Sequence, residues 1–316
     1  MLKLSDYPKS QELAERIFLK NLDECLRYPK YLQIETTNKC NAKCTMCPHS
    51  YEIFSGKTMS NEIYGKILKD ISSHIDWIES VALYHFGEPL LDSEICDRAE
   101  MLKNIGIRNI QISTNVELLS PRKAEELMRK GVNDLRLSID AATKTTYEDI
   151  RKGLHFDTVM RNALDALEIR NKYFKGKVKI RVRCVEMNSN RNELGMFIDF
   201  WKSKLSEEDK VQIIPSHTKE GWSIGENISH SDNVPCISIF STLKIDVNGD
   251  VALCCCDTAR NKKTIMGNIQ EDSIGAIWNT RLFNEIRNIH LSRGRGGYPP
   301  CKGCDMWHKT YRETAD

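Results

Sequence analysis

The 316-residue sequence lacks a dominant charge: 46 lysines and arginines stand against 44 aspartates and glutamates, a formal net charge of +2. No field directed at nucleic acid or at an anionic membrane surface follows from that balance. There is no apolar run near the roughly 20 residues that a bilayer-spanning helix needs. The opening stretch MLKLSDYPKSQELAERIFLKNL is charged throughout and has no apolar centre of the kind a secretory signal carries. It reads instead as an amphipathic helix within an N-terminal segment, 1–29. Internal repeats and low-complexity segments are also missing. These absences leave a cytoplasmic chain with no membrane and no nucleic-acid partner, long enough for one large barrel-type domain and a small appendage.

What the sequence has in plenty is cysteine, twelve in all. Disulfide scaffolds are mostly small secreted domains, so clustered cysteines in a long cytosolic chain point to metal. One cluster is Cys40, Cys44 and Cys47; a second set comprises Cys236, Cys254, Cys255, Cys256, Cys301 and Cys304. Cys25, Cys96 and Cys184 stand alone and are expected to be small core hydrophobes.

Apolar, β-branched runs at 31–37, 80–86, 109–114, 134–140, 179–187 and 211–216 read as strands. Helical patterns separate them. Ile63, Ile67 and Ile71 share one face, and Val159, Ala163 and Ala166 with Leu167 share another. The segment at 120–131 opens on Ser120 as N-cap and Pro121 at the first helical position, and closes at Gly131. Six strands alternating with helices predict a parallel α/β sheet, as a partial (β/α)6 TIM-type barrel over 1–218. Functional groups then belong at the C-terminal strand ends. Residues 219–233 turn polar and Gly/Ser-rich and read as a linker. The remainder, 234–316, is expected to form a small module with a β-hairpin around "NGD" followed by a helix.

The motif KCNAKCTMCPHS has C-x3-C-x2-C spacing, with three thiolates and no fourth nearby. Zinc sites usually pair two C-x2-C units, whereas iron–sulfur clusters are held by cysteine thiolates. Three ligands on a four-iron cluster leave one iron open to another molecule. Here the sequence resembles the radical S-adenosylmethionine (SAM) enzymes, whose signature has this spacing after the first strand of a partial barrel. "FGEP" (Phe86, Gly87, Glu88) resembles the family's GGEP motif. The resemblance implies that the backbone there and Glu88 hold the SAM amino group, and that Ser113, Asn115 and Ser138 contact ribose and methionine. It implies that Arg183 pairs the methionyl carboxylate with its planar fork, although Arg181 points the same way along the strand. Two departures are Met46 where an aromatic is common and Phe86 in place of the first glycine.

Cys236, Cys254, Cys301 and Cys304 supply four thiols, enough for a cubane cluster with no open iron. They are similar to the twitch module, an abbreviated SPASM domain. One SAM-binding 4Fe-4S cluster and one auxiliary 4Fe-4S cluster are therefore expected. Zinc at the same four thiols is the alternative, since the two metals share thiolate preference. Strand alternation sets Cys254 and Cys256 on one face and Cys255 on the other, so a neighbour could replace Cys254 as ligand. A remaining thiol, at Cys255 or Cys256, could give a hydrogen atom to a carbon radical.

The resemblance implies a 5′-deoxyadenosyl radical acting on a C–H bond of a small-molecule substrate, with flavodoxin or ferredoxin as electron donor. Epimerisation at a carbinol carbon of a sugar, aminocyclitol or aminoglycoside, with a cysteine as hydrogen donor, is the leading expectation. Oxidation of an alcohol to a ketone, with the auxiliary cluster accepting the electron, is the second. Peptide modification is a third, and only 39 residues precede Cys40, which disfavours the roughly 80-residue recognition domain many such relatives carry. An iron–sulfur electron carrier is the non-catalytic alternative. His85, Glu186, His217 and Trp222 near strand ends are further substrate-facing candidates.

Overall fold

The computed structural model describes residues 3–52, 54–215, 233–254, 265–302, 304 and 312–313. Among them the strands are β1 (Tyr31–Ile34), β2 (Lys43–Cys44), β3 (Ser80–Ala82), β4 (Ile110–Thr114), β5 (Asp134–Ser138) and β6 (Arg151–Lys152). They continue with β7 (Lys179–Glu186), β8 (Lys210–Pro215), β9 (Thr242–Ile245), β10 (Asp250–Ala252), β11 (Ile265–Asn268) and β12 (Arg312–Glu313). All six sequence-predicted strands form, most of them stopping short of the expected C-terminal limit so that the last residues leave as loops.

The chain divides into two compact units that interleave in sequence. One combines Met1–Ile34, Met59–Val81 and His217–Lys309; the other combines Glu35–Thr58, Ala82–Ser216 and Thr310–Asp316. The first unit thus brings β1 and the helix Asn61–Ile71 together with residues from the C-terminal part of the chain.

In the first unit the strand order is β11-β10-β9-β1-β3. β1 runs parallel to β9, Tyr31 opposite Thr242 through Ile34 opposite Ile245. β9 and β10 form the expected hairpin. Its turn is set by Asp246, whose Oδ1 accepts from the Asn248 and Asp250 amides, and by Gly249 at φ +84°, a conformation glycine adopts freely. Ser60 caps the helix Asn61–Ile71, which buries Ile63, Ile67 and Ile71 as the spacing predicts. The expected long N-terminal helix does not form. A short helix, Ser10–Arg16, ends where Phe18 turns left-handed at φ +57°, and Asn21 then caps a 3-10 turn, Leu22–Leu26. The expected C-terminal helix is two, Ile274–Trp278 and Arg281–Arg293, because Thr280 N-caps the second.

In the second unit β4, β5, β7 and β8 are parallel neighbours and β12 joins β8 antiparallel. Alternation buries Ile110, Ile112, Leu135, Leu137, Ile180, Val182 and Cys184 against the helices. The opposite face carries Ser113, Arg136 and Arg181 in one row, then Ser138, Arg183 and Gln212 in the next. Ser120 caps the helix Pro121–Arg129, accepting from the Lys123 amide, and Gly131 follows at φ +116°. Cys25, Cys96 and Cys184 are buried, as expected of isolated core cysteines. The linker residues 219–232 lie outside the described residues. No helix among the described residues is long and apolar enough to cross a membrane.

Candidate active site

Within the second unit, the loop bearing Cys40, Cys44 and Cys47 is anchored at both ends. Asn38 accepts from the Lys57 amide at 2.7 Å and donates to Ser55 Oγ at 2.9 Å. The Glu88 amide donates to the Lys39 carbonyl at 2.7 Å. That approach explains Gly87: a Cβ there would sit 2.1 Å from the Thr37 carbonyl oxygen and 2.8 Å from that of Lys39. Cys44 lies on β2, which pairs with β6 so that Cys44 faces Arg151. Cys47 closes a turn onto the Cys44 carbonyl at 3.0 Å, before the 3-10 turn Pro48–Ser50. His49 is buried, its Nε2 at 2.9 Å from the Asn38 carbonyl and its ring stacked on Phe54 at 4.3 Å.

Burial pushes the Cys40 thiol up to about 11 and Cys47 up to about 12, and raises Cys44 as well, while Arg151 pulls against each shift. Neutral thiols so desolvated ionise on binding metal, which releases their protons. Two further buried polar atoms, His49 Nδ1 and Tyr147 Oη, have no hydrogen-bond partner among the described residues. Tyr147 lies within electrostatic reach of Cys44 and Arg151. Three desolvated thiols on one loop, with unsatisfied polar groups beside them, fit an iron–sulfur cluster held from one side.

The strand ends brace this loop. Glu88 is 3% exposed, and its carboxylate accepts from Thr114 Oγ1 at 2.7 Å, the Asn115 amide at 2.7 Å and the Leu90 amide at 3.1 Å. Burial raises its pKa, and those donors and Arg151 oppose the rise. The side chain expected to grip an amino group also ties the second strand end to the third. Asn115 donates from Nδ2 to Asn41 Oδ1 at 2.7 Å, inside the cysteine loop. Val116 follows at φ +73°, an outlying conformation for a β-branched residue. It is held by Asn162, which donates to the Val116 and Glu117 carbonyls.

Ser113 and Ser138 meet on adjacent strands, their hydroxyls 3.2 Å apart. Arg181 is committed to Asp134 at 3.0 Å, and Arg136 to Asp134 and the Tyr84 hydroxyl. Arg183 lies one strand repeat further along, opposite Ser138, which separates the two arginines that the sequence leaves as alternatives. Phe86 packs against His85 and Phe54, and its amide donates to Glu35. His85 also faces Glu35, Nδ1 to Oε1 at 3.6 Å, with both side chains 4% exposed. Glu186 pairs with Arg191. His217 and Trp222 lie outside the described residues.

The auxiliary cysteines belong to the first unit. The Cys236 amide donates to His290 Nδ1 at 3.3 Å. His290 is fully buried and its pKa is pushed down to about 4, mainly by burial and then by Arg295, so the imidazole is neutral. Cys254 follows β10. Cys301 ends the turn Pro299–Cys301, and its carbonyl accepts from the Cys304 amide at 3.2 Å. Arg295, buried, donates from Nε to the Cys304 carbonyl at 2.7 Å. Cys255 and Cys256 lie outside the described residues.

Residues 34–179 match the radical SAM superfamily, and residues 236–305 match an iron–sulfur cluster-binding domain, SPASM. The chain carries a radical SAM domain followed by an iron–sulfur cluster-binding domain. It is a radical SAM enzyme whose cofactors are S-adenosylmethionine, a 4Fe-4S cluster and an auxiliary iron–sulfur cluster. Among curated relatives, a probable GTP 3′,8-cyclase of Methanococcus maripaludis is 24% identical, the match covering 87% of this chain and 86% of that protein. Molybdenum cofactor biosynthesis protein 1 of Dictyostelium discoideum is 27% identical over 73% of this chain, which spans only 36% of that relative. BtrN in complex with AdoMet and 2-DOIA shares the fold at TM-score 0.60 and 21% identity, covering 87% of this chain and 92% of BtrN. Streptococcus suis SuiB bound to S-adenosylmethionine does so at TM-score 0.66 and 17%, covering 83% and 68%.

Asn41, Tyr147, Asp140 and Arg151 are site residues that sequence reasoning misses. Asn41 lies inside the cysteine motif as an unremarked spacer. Asp140 ends the predicted strand 134–140 with no role read from it, Tyr147 and Arg151 follow in no recognisable pattern, and pairing of the two-residue strands β2 and β6 is what brings Arg151 to Cys44.

Proposed function

We propose that this radical SAM enzyme acts on a carbinol C–H of a small, hydroxyl-rich substrate, a sugar, aminocyclitol or aminoglycoside, and epimerises it with a cysteine thiol as hydrogen donor. The observation that carries the reading is one of supply. Cys236, Cys254, Cys301 and Cys304 complete an auxiliary ligand set, and the chain adds two adjacent thiols, Cys255 and Cys256, that the set does not need. When bound, the first cluster and S-adenosylmethionine supply a 5′-deoxyadenosyl radical that removes the substrate hydrogen atom.

The chain's own groups would then bind and finish the reaction. Phe86, Gly87, Ser113, Asn115, Ser138 and Arg183 lie at or beside strand ends and would orient S-adenosylmethionine, with Glu88 setting their spacing. The polar row of Ser113, Arg136 and Arg181, with Tyr84 beside it, would form the face on which a polyhydroxylated substrate lies, Asp134 holding both guanidiniums in place. A thiol S–H is weaker than most C–H bonds, so Cys255 or Cys256 would return a hydrogen atom to the opposite face. The thiyl left behind needs one electron and one proton to reset, which an external donor such as flavodoxin or ferredoxin would supply.

Dehydrogenation is the second reading: the substrate radical loses one electron and one proton and becomes a ketone, with the auxiliary cluster as electron acceptor. The relatives' name adds GTP as a compound to test. Incubation of the reduced enzyme with candidate cyclitols, sugars and GTP in deuterated water separates these readings. Deuterium at the carbinol carbon supports epimerisation. A ketone without deuterium rejects it in favour of dehydrogenation, and turnover of GTP alone rejects both.

A further inference from the structure

The cysteine loop is neighboured by one fixed cation that neither the cofactors' binding nor the strand-end bracing uses. Arg151 is 8% exposed, and its Nη1 approaches Cys44 Sγ to 3.8 Å. Its Nε and Nη2 both reach Asp140 Oδ2 at 2.6 Å. Asp140, 1% exposed, is itself fixed, because its Oδ1 accepts from the Val185 amide at 2.8 Å and its carbonyl accepts from Asn190 Nδ2 at 2.6 Å. One side of the guanidinium is thus clamped by an immobile carboxylate and the other is left turned to a cluster ligand. Among the charges acting on Cys44, that of Arg151 outweighs that of Asp140.

We propose that Arg151 tunes the reduction potential of the SAM-binding cluster, presenting a permanent positive charge and an N–H donor to the Cys44 sulfur, with Asp140 aiming it. Potentials of iron–sulfur clusters follow net charge and hydrogen bonds to their sulfurs. A cation held there stabilises the reduced, more negative cluster and so raises the potential. Arginine suits the task because it stays charged when buried and its planar fork serves two partners at once. Partners beyond the ligands themselves commonly set a metal centre's properties. The inference rests on the cluster being held by Cys40, Cys44 and Cys47.

The test uses the full chain, reconstituted anaerobically and titrated with EPR detection. The first cluster's signal is the one absent from the Cys40→Ala/Cys44→Ala/Cys47→Ala variant. If wild type lacks that signal, the cluster assignment itself fails, separately from the role of Arg151. In Arg151→Gln, at equal iron and sulfide content, the reduced-to-oxidised ratio at a fixed poise falls about tenfold, a downward shift of about 59 mV for one electron. Arg151→Lys, which keeps the charge, recovers more than half of that shift. Should Arg151→Gln fail to load iron, Asp140→Asn/Arg151→Gln removes both buried charges without orphaning either, and its midpoint still falls, by less. An unchanged or raised midpoint in whichever glutamine variant loads overturns the proposal. So does a lysine variant shifted as far as Arg151→Gln.

Discussion

The two cysteine sets solve the same chemical problem in opposite ways. Cys40, Cys44 and Cys47 sit within eight residues, and one loop presents them. Cys236, Cys254 and the Cys301/Cys304 pair lie in three separate stretches of the chain, so a cluster held by all four would depend on the fold of their unit. The compact set needs help to hold its loop in place, and it gets that from Gly87 and Asn115 on later segments. The dispersed set needs a scaffold to gather its segments, and buried His290 and Arg295 provide it by binding the backbone at Cys236 and Cys304. A local motif thus depends on distant bracing, whereas a dispersed set depends on a few buried polar side chains.

The sharpest way to break this contrast is Gly87→Ala. A Cβ 2.1 Å from a carbonyl oxygen has nowhere to go, because the obstacle is backbone rather than a flexible side chain. Overpacking of this kind costs about 1–3 kcal/mol or more, and here the strain falls on the cysteine loop. Iron content is expected to fall from about eight to about four per chain, one 4Fe-4S cluster being lost, with the auxiliary EPR signal intact. Loss of both signals together would mean that the two sets are not separately braced. Arg295→Ala is the mirror experiment. It leaves the half-buried Cys304 carbonyl without this charged donor, at up to about 1.5–3 kcal/mol. The auxiliary signal should weaken while 5′-deoxyadenosine formation persists; a selective loss of the first cluster instead would refute the assignment.

The same asymmetry governs what the sequence reveals. C-x3-C-x2-C is legible because local spacing is all it requires, and Ser120–Pro121 and the "NGD" turn are legible for the same reason. Arg151 is not, since only the pairing of two-residue strands, too short to show periodicity, brings it to Cys44. Glu88 is legible as a strand-end residue, but the hydrogen bonds it accepts from the Thr114 hydroxyl and the Asn115 and Leu90 amides are not, since no motif expresses them. The N-terminal helix shows the opposite error. Its amphipathic pattern predicts continuity, and the left-handed turn at Phe18 ends it, a tertiary override of local propensity.

Asn115→Ala probes a single brace of the compact set. It removes the 2.7 Å bond to Asn41 and the Asn115 Oδ1 acceptor for the Glu117 amide, a loss of about 1–2 kcal/mol. Iron content should hold while S-adenosylmethionine binds several-fold more weakly by equilibrium dialysis; unchanged binding would place Asn41 outside the cofactor's supports. The smallest expected effect lies next along the chain, where Glu117 accepts from the His155 amide at 3.0 Å and meets His155 Nδ1 at 2.7 Å. The hydrogen bond and charge of Glu117 raise the His155 pKa. A histidine raised on folding contributes its stability in full below its unfolded pKa of about 6.5, and that contribution is lost as pH climbs through the folded value. His155 is solvent-exposed, so screening keeps the effect to a Tm change on the order of a degree. Wild type should exceed His155→Gln at pH 5.5, and the gap should close by pH 8. A gap that is constant with pH would show that the pair contributes nothing through charge, and that bracing of the compact set ends at Asn115.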